Sequence, residues 1–158
     1  MELPKIVKVK QHFSGPQIND IEAAVAQEFA KKETEEQIKP NMNIAITAGS
    51  RGIANIAEVI RAAVHEVKKR QAHPFIVPAM GSHGGAKAEG QIEVLASLGI
   101  TEDYCGAPIR VTMDVVHLGV TDTGSNVYMD QMAHESDGVI LVNRIKAHTD
   151  FSSTIESG

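Results

Sequence analysis

Cysteine is nearly absent from this sequence, which has Cys105 alone among its 158 residues. A single thiol cannot form an intramolecular disulfide, and it cannot supply the cysteine ligands of a structural zinc site. The fold must therefore be held together by packing of apolar side chains, and the hydrophobic content of 42% is ordinary for that purpose.

Aromatic rings and positive charge are also scarce. The chain has no tryptophan, two tyrosines and four phenylalanines, and 20 acidic residues outnumber 15 basic ones for a formal net charge of −5. Proteins bind nucleic acids with lysine and arginine against phosphates and with aromatic rings against bases. We therefore expect no nucleic-acid partner.

Long apolar runs are missing as well. No stretch approaches the roughly 18 consecutive apolar residues that would span a membrane, and the opening MELPKIVKVK has no secretory apolar segment. We expect a cytoplasmic protein with no membrane association. The length suits a single domain over residues 1–158.

Hydrophobic spacing predicts alternating strands and helices. Alternation predicts an edge strand at 6–13, and apolar residues three and four apart predict a surface helix at 17–38. Further along, the pattern predicts strands from 43 to the glycine at 49, at 74–80, at 110–113, at 115–120 and at 138–143, helices at 53–71 and 88–98, and a turn at Gly124. The run 138–143 is the most strand-like, so we expect it at the centre of the sheet.

This order of elements predicts an α/β fold with a Rossmann-like parallel core, right-handed crossovers and helices on both faces of the sheet. In such folds, ligands bind beyond the carboxyl ends of the strands. The informative loops are therefore those that follow the three best strands, AGSRGI at 48–53, MGSHGG at 80–85 and NRIKAHTD at 143–150. We expect them to meet at one edge.

The first loop contains Ser50 and Arg51 between two glycines. It is either a tight strand-to-helix turn with a solvated arginine, or a site where Arg51 and the backbone amides of the next helix hold a carboxylate or phosphate.

In the second loop, His83 follows Gly81 and Ser82, and it is either a turn residue or an accessible general acid or base. In the third, Lys146 and His148 are either a solvated charge cluster or part of the same site. None of the histidines has metal-ligand spacing such as HExxH, so we assign no metal ligand.

The first loop has some likeness to the glycine-rich turn of short-chain dehydrogenases. Its spacing is not GxGxxG, however, and neither Tyr104 nor Tyr128 is followed by a lysine four positions on. We therefore reject that family. A non-catalytic anion- or nucleotide-binding domain remains the alternative to an enzyme.

Taken together, residues 46–158 resemble the N-terminal domain of the nickel-dependent lactate racemase family. The resemblance is carried by AMGSHGGAKAEGQ at 79–91, LASLGI at 95–100, VNRIKAHTDF at 142–151 and IESG at 155–158.

The resemblance implies an isomerase that racemises or epimerises 2-hydroxy acids by proton-coupled hydride transfer. A nickel pincer nucleotide would accept the hydride, with His83 and His148 as acid and base on opposite sides of the reacting carbon. Arg51 matches the arginine of the family's first loop. The expected substrate- or cofactor-binding residues are Ser50, Arg51, Gly81, Ser82 and Lys146.

Two departures from the family pattern matter. Known lactate racemases carry an Asp-x-Thr-Arg first loop, whereas this chain has Ala48-Gly-Ser-Arg51 without a carboxylate, so the particular hydroxy acid stays open. The family pattern also continues beyond residue 158 with a tethering lysine, a histidine ligand to nickel and a second domain. We therefore expect the N-terminal domain of a longer two-domain enzyme, with the missing C-terminal domain as its partner and its oligomeric state open.

Overall fold

A parallel sheet lies at the centre of the computed structural model, which describes residues 6–12, 14–15, 17–50, 52–144 and 152. Its strands β1 (Asn43–Ala48), β2 (His73–Pro78) and β5 (Gly138–Ile140) have the order β2-β1-β5. Strands β3 (Val115–Val120) and β4 (Asn126–Asp130) form a separate antiparallel pair. The predicted α/β fold with a Rossmann-like parallel core is confirmed.

Helices flank the sheet. They are α1 (Ile21–Phe29), α2 (Lys32–Glu35), α3 (Ile56–Lys69), a 3-10 helix at His83–Ala86, α4 (Ala88–Ser97), α5 (Glu102–Cys105) and α6 (Gln131–His134). Helices α3 and α4 confirm the predictions at 53–71 and 88–98, while the short α2, α5 and α6 were not expected as separate elements. None of the helices in the described residues has the length and hydropathy needed to cross a bilayer.

The predicted helix at 17–38 is wrong in its extent. It begins only at Ile21, because the Asp20 side chain accepts a hydrogen bond from the Ala23 amide at 2.8 Å. It is interrupted at Lys31, whose backbone is extended. Phe29 and Ile38 are both buried in one core cluster. Residues nine apart on a straight α-helix face opposite directions, about 180° apart, so a single helix could not bury both.

The sheet buries both faces. Ile44, Ile46 and Ile76 face the larger core, where they join the apolar stripe of α3 and Leu95 of α4. On the opposite face, the buried side chains Ala45, Phe75 and Val77 pack with Ala133 of α6, and Met129, Met132 and Val139 are partly buried against them. The alternation along β1 and β2 thus follows the period of two that a strand imposes.

The edge strand predicted at 6–13 is wrong for the residues described there. No strand forms over 6–12, and Ile6, Val7 and Val9 are 95%, 77% and 82% exposed. Alternating apolar residues give a strand two distinct faces, but a strand also needs a partner for its backbone groups. Phe13 lies outside the described residues.

The run at 138–143 forms a strand only over Gly138–Ile140, and within the described sheet that strand lies at the edge. Strand β1 is the central strand of the described sheet. Leu141 is 75% exposed, and the Val142 amide donates to the Thr47 hydroxyl at 3.0 Å, which is a side-chain partner in place of a ladder carbonyl. The chain therefore leaves the ladder after three residues.

The middle of the chain is also less regular than predicted. The strand at 115–120 and the turn at Gly124 are confirmed, but no strand forms at 110–113. The chain there makes one bridge to β2, through Ile109, with the Arg110 amide donating to the Ile76 carbonyl at 2.8 Å.

Candidate functional site

The three strands of the parallel sheet end at the same edge. Strand β1 is in register with β2 from Asn43 opposite His73 to Ala48 opposite Pro78, and it also runs parallel to β5. Loops that follow the strands therefore start from one side of the molecule. Ser50, Gly81, Ser82 and His83 all lie in such loops. Arg51, Lys146 and His148 lie outside the described residues, so their placement stays a prediction.

The first loop leads from β1 into α3. Ser50 is half-buried, and Gly52 has a left-handed backbone with a φ of 80°. Helix α3 then begins at Ile56, after Asn55, whose side chain makes no capping hydrogen bond. The loop brings Ser50 and the start of a 14-residue helix to the carboxyl edge of the sheet.

The second loop holds His83 in a tight turn. The His83 amide donates to the Met80 carbonyl at 3.2 Å, and the ring Nδ1 lies 2.5 Å from the same oxygen. Because a carbonyl oxygen can only accept, Nδ1 carries the proton, and in the neutral ring Nε2 carries the lone pair. A half-buried imidazole in this tautomer can take up a proton at Nε2.

Helix α4 anchors this loop from behind. Gln91 is 5% exposed, and its Nε2 donates to the Gly81 carbonyl at 2.9 Å. The backbones of Gly84 and Gly90 also approach closely, since a β-carbon on Gly84 would stand 2.3 Å from the Gly90 carbonyl carbon. Sequence reasoning missed Gln91 as a residue that contacts the loop carrying His83. Its signal is a glutamine four residues before the buried Leu95, on the apolar side of the helix.

The third loop is tied to the first. Beyond β5, the Arg144 guanidinium donates from Nη1 to the Gly52 carbonyl at 2.6 Å. This contact joins the chain that follows β5 to the chain that follows β1. The structure thus brings two of the three loops into direct contact through residues that it describes.

Two ionisable groups with shifted pKa values lie away from this edge. Helix α3 starts at the carboxyl edge and runs back toward the amino end of β2, so Glu66, near its end, lies far from the loops. Burial favours the neutral Glu66 carboxyl, but hydrogen bonds and charges from Lys69 and Arg70 outweigh it and lower the pKa. Burial raises the pKa of the Cys105 thiol on α5.

The backbone of the second loop borders open space at two of its glycines. Within the part of the chain that the structure describes, no three histidine, cysteine or acidic side chains are placed to hold a metal. By contrast, a β-carbon on Gly81 or Gly85 would meet nothing within 4 Å, so the loop backbone borders open space. A ligand can approach such glycines closely.

The fold and these loops define the class of the protein as an α/β domain with a Rossmann-like parallel core. Residues 4–152 match the lactate racemase N-terminal domain family, and the chain belongs to that family. The family is one of racemases, which are isomerases. The match takes in residues 4–45, which the motifs at 46–158 did not include. No curated protein and no solved structure gives a significant match to the chain.

Proposed function

We propose that this chain is the N-terminal catalytic domain of a 2-hydroxy acid racemase or epimerase that works by proton-coupled hydride transfer. The observation that carries the proposal is His83, whose Nδ1–H is held by the Met80 carbonyl at the carboxyl edge of the sheet, in a member of the lactate racemase family. In the neutral ring this arrangement leaves the lone pair on Nε2, where a proton can be taken up.

The reaction explains why two histidines are needed. In inversion by hydride transfer, the α-carbon of a 2-hydroxy acid loses its hydrogen with the electron pair while the hydroxyl loses its proton, which leaves a planar keto acid. The nickel pincer nucleotide, when bound, would supply the hydride acceptor. His83 takes or returns the hydroxyl proton on one side of the plane, and His148 does so on the other.

Substrate binding requires a cation for the carboxylate. Arg51 offers a planar guanidinium that can donate two parallel hydrogen bonds. Ser50, Gly81, Ser82 and Lys146 complete the proposed substrate- and cofactor-binding set. We propose that the full-length protein also has a tethering lysine, a histidine ligand to nickel and a second domain, as the family resemblance implies, since the matched family is an N-terminal domain.

The test uses the full-length protein loaded with cofactor and assayed in both directions. His83→Ala and His148→Ala should each lower kcat by about 10²- to 10⁴-fold in both directions, since each turnover uses both imidazoles. Arg51→Ala should mainly raise KM. His134→Ala is the matched control, because His134 is an exposed histidine on α6.

Cofactor occupancy is measured by absorbance in every variant, so that a loss of binding is not taken for a loss of chemistry. Near-normal rates in one histidine variant would remove that histidine from the mechanism. Near-normal rates in both would overturn the proposal in favour of a non-catalytic anion- or nucleotide-binding domain.

A further inference from the structure

Gln91 is an unusual residue for the position that it occupies. It lies in the first half of α4 and is 5% exposed, four residues before the fully buried Leu95. Burying a side-chain amide costs free energy unless the amide is hydrogen-bonded. A leucine or methionine would be enough for packing. The side-chain amide of Gln91 is therefore explained by its hydrogen-bond partner.

The amide binds the peptide at the centre of the turn that carries His83. The turn spans Met80 to His83, closed by the His83 amide on the Met80 carbonyl, and Gly81 follows Met80 with a left-handed φ of 57°. Gln91 Nε2 donates to the Gly81 carbonyl at 2.9 Å. This hydrogen bond fixes the orientation of the Gly81–Ser82 peptide.

The same turn sets the tautomer of the imidazole. The Met80 carbonyl that closes the turn also accepts from His83 Nδ1 at 2.5 Å. Without the hydrogen bond from Gln91, the Gly81–Ser82 peptide loses the contact that fixes its orientation, and the turn that places the Met80 oxygen against the ring loses that support. Gln91 therefore contacts the same turn whose Met80 carbonyl accepts from His83 Nδ1 and keeps the proton on that nitrogen.

We propose that Gln91 is a positioning residue that keeps the turn closed and holds His83 in the tautomer with the proton on Nδ1. The tautomer is a property of this chain by itself. Its meaning for turnover rests on the proposed function, in which the Nε2 of that tautomer exchanges the substrate proton.

NMR on the ¹⁵N-labelled chain tests the proposal, because the chemical shifts of the two ring nitrogens of His83 show which of them carries the proton. The unaltered chain should show a protonated Nδ1 and an unprotonated Nε2. Gln91→Met keeps a side chain of similar length without the donor, and Gln91→Glu places a carboxylate, which cannot donate at neutral pH, against the Gly81 carbonyl. In both variants, the two nitrogen shifts should move toward each other, with changes in the Gly81 and Ser82 amide signals.

Glu93→Gln, an exposed change on the same helix, should leave the His83 signals unaltered. Backbone spectra establish which Gln91 variants are folded, and either folded variant decides the question. A His83 protonated on Nε2 in the unaltered chain would overturn the proposal. So would unchanged His83 and Gly81 signals in a folded Gln91 variant.

Kinetics of the loaded full-length enzyme separate this proposal from the proposed function. Gln91→Met should lower kcat by about tenfold to a hundredfold with little change in KM, as expected for a misplaced proton acceptor. A shifted tautomer in Gln91→Met together with an active His83→Ala would contradict the function and keep the positioning role. An inactive His83→Ala together with an unshifted tautomer in Gln91→Met would support the proposed function and contradict the positioning role.

Discussion

The carbonyl oxygen of Gly84 lies 2.0 Å from the point that a β-carbon on Gly90 would occupy. The first turn of α4 therefore rests directly on the backbone of the loop that carries His83. Gly84 is also left-handed, with a φ of 65°, so both positions favour glycine for separate reasons. The close approach fixes the distance between the helix and the loop.

Gly90→Ala should destabilise the chain by about 1–3 kcal/mol, the range for overpacking a close contact. Alanine gains about 1 kcal/mol over glycine in a helix interior. The clash should prevail, because the atoms that the new methyl group meets are backbone atoms of Gly84. The free energy of unfolding in urea measures the outcome.

Glu93→Ala is the control for this prediction, since Glu93 is exposed on the same helix and its replacement should change stability by no more than about 0.5 kcal/mol. If Gly90→Ala is as stable as the unaltered chain, the contact between Gly84 and Gly90 is looser than the structure shows.

Sequence periodicity predicted the elements whose burial is strong and local. The α3 stripe is one case, because Ile60, Val64 and Val67 recur on one face and are all at most 2% exposed. It failed where the outcome depends on a distant partner. The runs at 6–12 and 138–143 look like strands, but pairing decides whether a ladder forms, and pairing is not encoded in the run itself.

The candidate site divides in the same way. Loops at strand ends follow from the order of elements, so the position of His83 beyond β2 was predictable. The proton on Nδ1 was not, because it depends on the Met80 carbonyl within a turn of specific geometry. Nor was the role of Gln91, since the spacing of apolar residues does not reveal which buried amide meets which carbonyl.

Thr47→Val should loosen the chain that follows β5. The Thr47 hydroxyl is the acceptor for the Val142 amide at 3.0 Å, and valine has nearly the same shape without that oxygen. Loss of the hydrogen bond should cost about 1 kcal/mol. Amide hydrogen exchange at Val142 should accelerate. Thr47→Ser keeps the hydroxyl and should keep the exchange at the Val142 amide slow. Equal exchange rates in the two variants would contradict the role of the hydroxyl.

The Cys105 thiol should react slowly with disulfide and maleimide reagents in the native chain. It is 3% exposed, and burial raises its pKa, so both access and the thiolate fraction are reduced. If reaction requires unfolding, the rate relative to the denatured chain should fall by about 10³-fold or more. A native rate near that of the denatured chain would mean that α5, a four-residue helix, opens readily.

Glu66→Gln should destabilise the chain at neutral pH by about 1.5–3 kcal/mol, the range for hydrogen bonds to charged groups. Glu66 is 7% exposed, and its carboxylate accepts from Lys69 Nζ at 2.6 Å and from Arg70 Nη1 at 2.8 Å. Glutamine keeps the shape but loses the charge. The free energy of unfolding is measured for both chains across the acid range.

The dependence on pH identifies the charge as the cause. The folded pKa of Glu66 lies below its ordinary value of 4.5, so the ionised carboxylate stabilises the fold above that pH and the effect is lost as pH falls through the folded pKa. The two chains should therefore converge in acid. Glu36→Gln, at an exposed ion pair with Lys32, should cost no more than about 0.5 kcal/mol. If the difference in the free energy of unfolding persists unchanged into acid, its cause is packing, since the two chains no longer differ in charge at position 66 there.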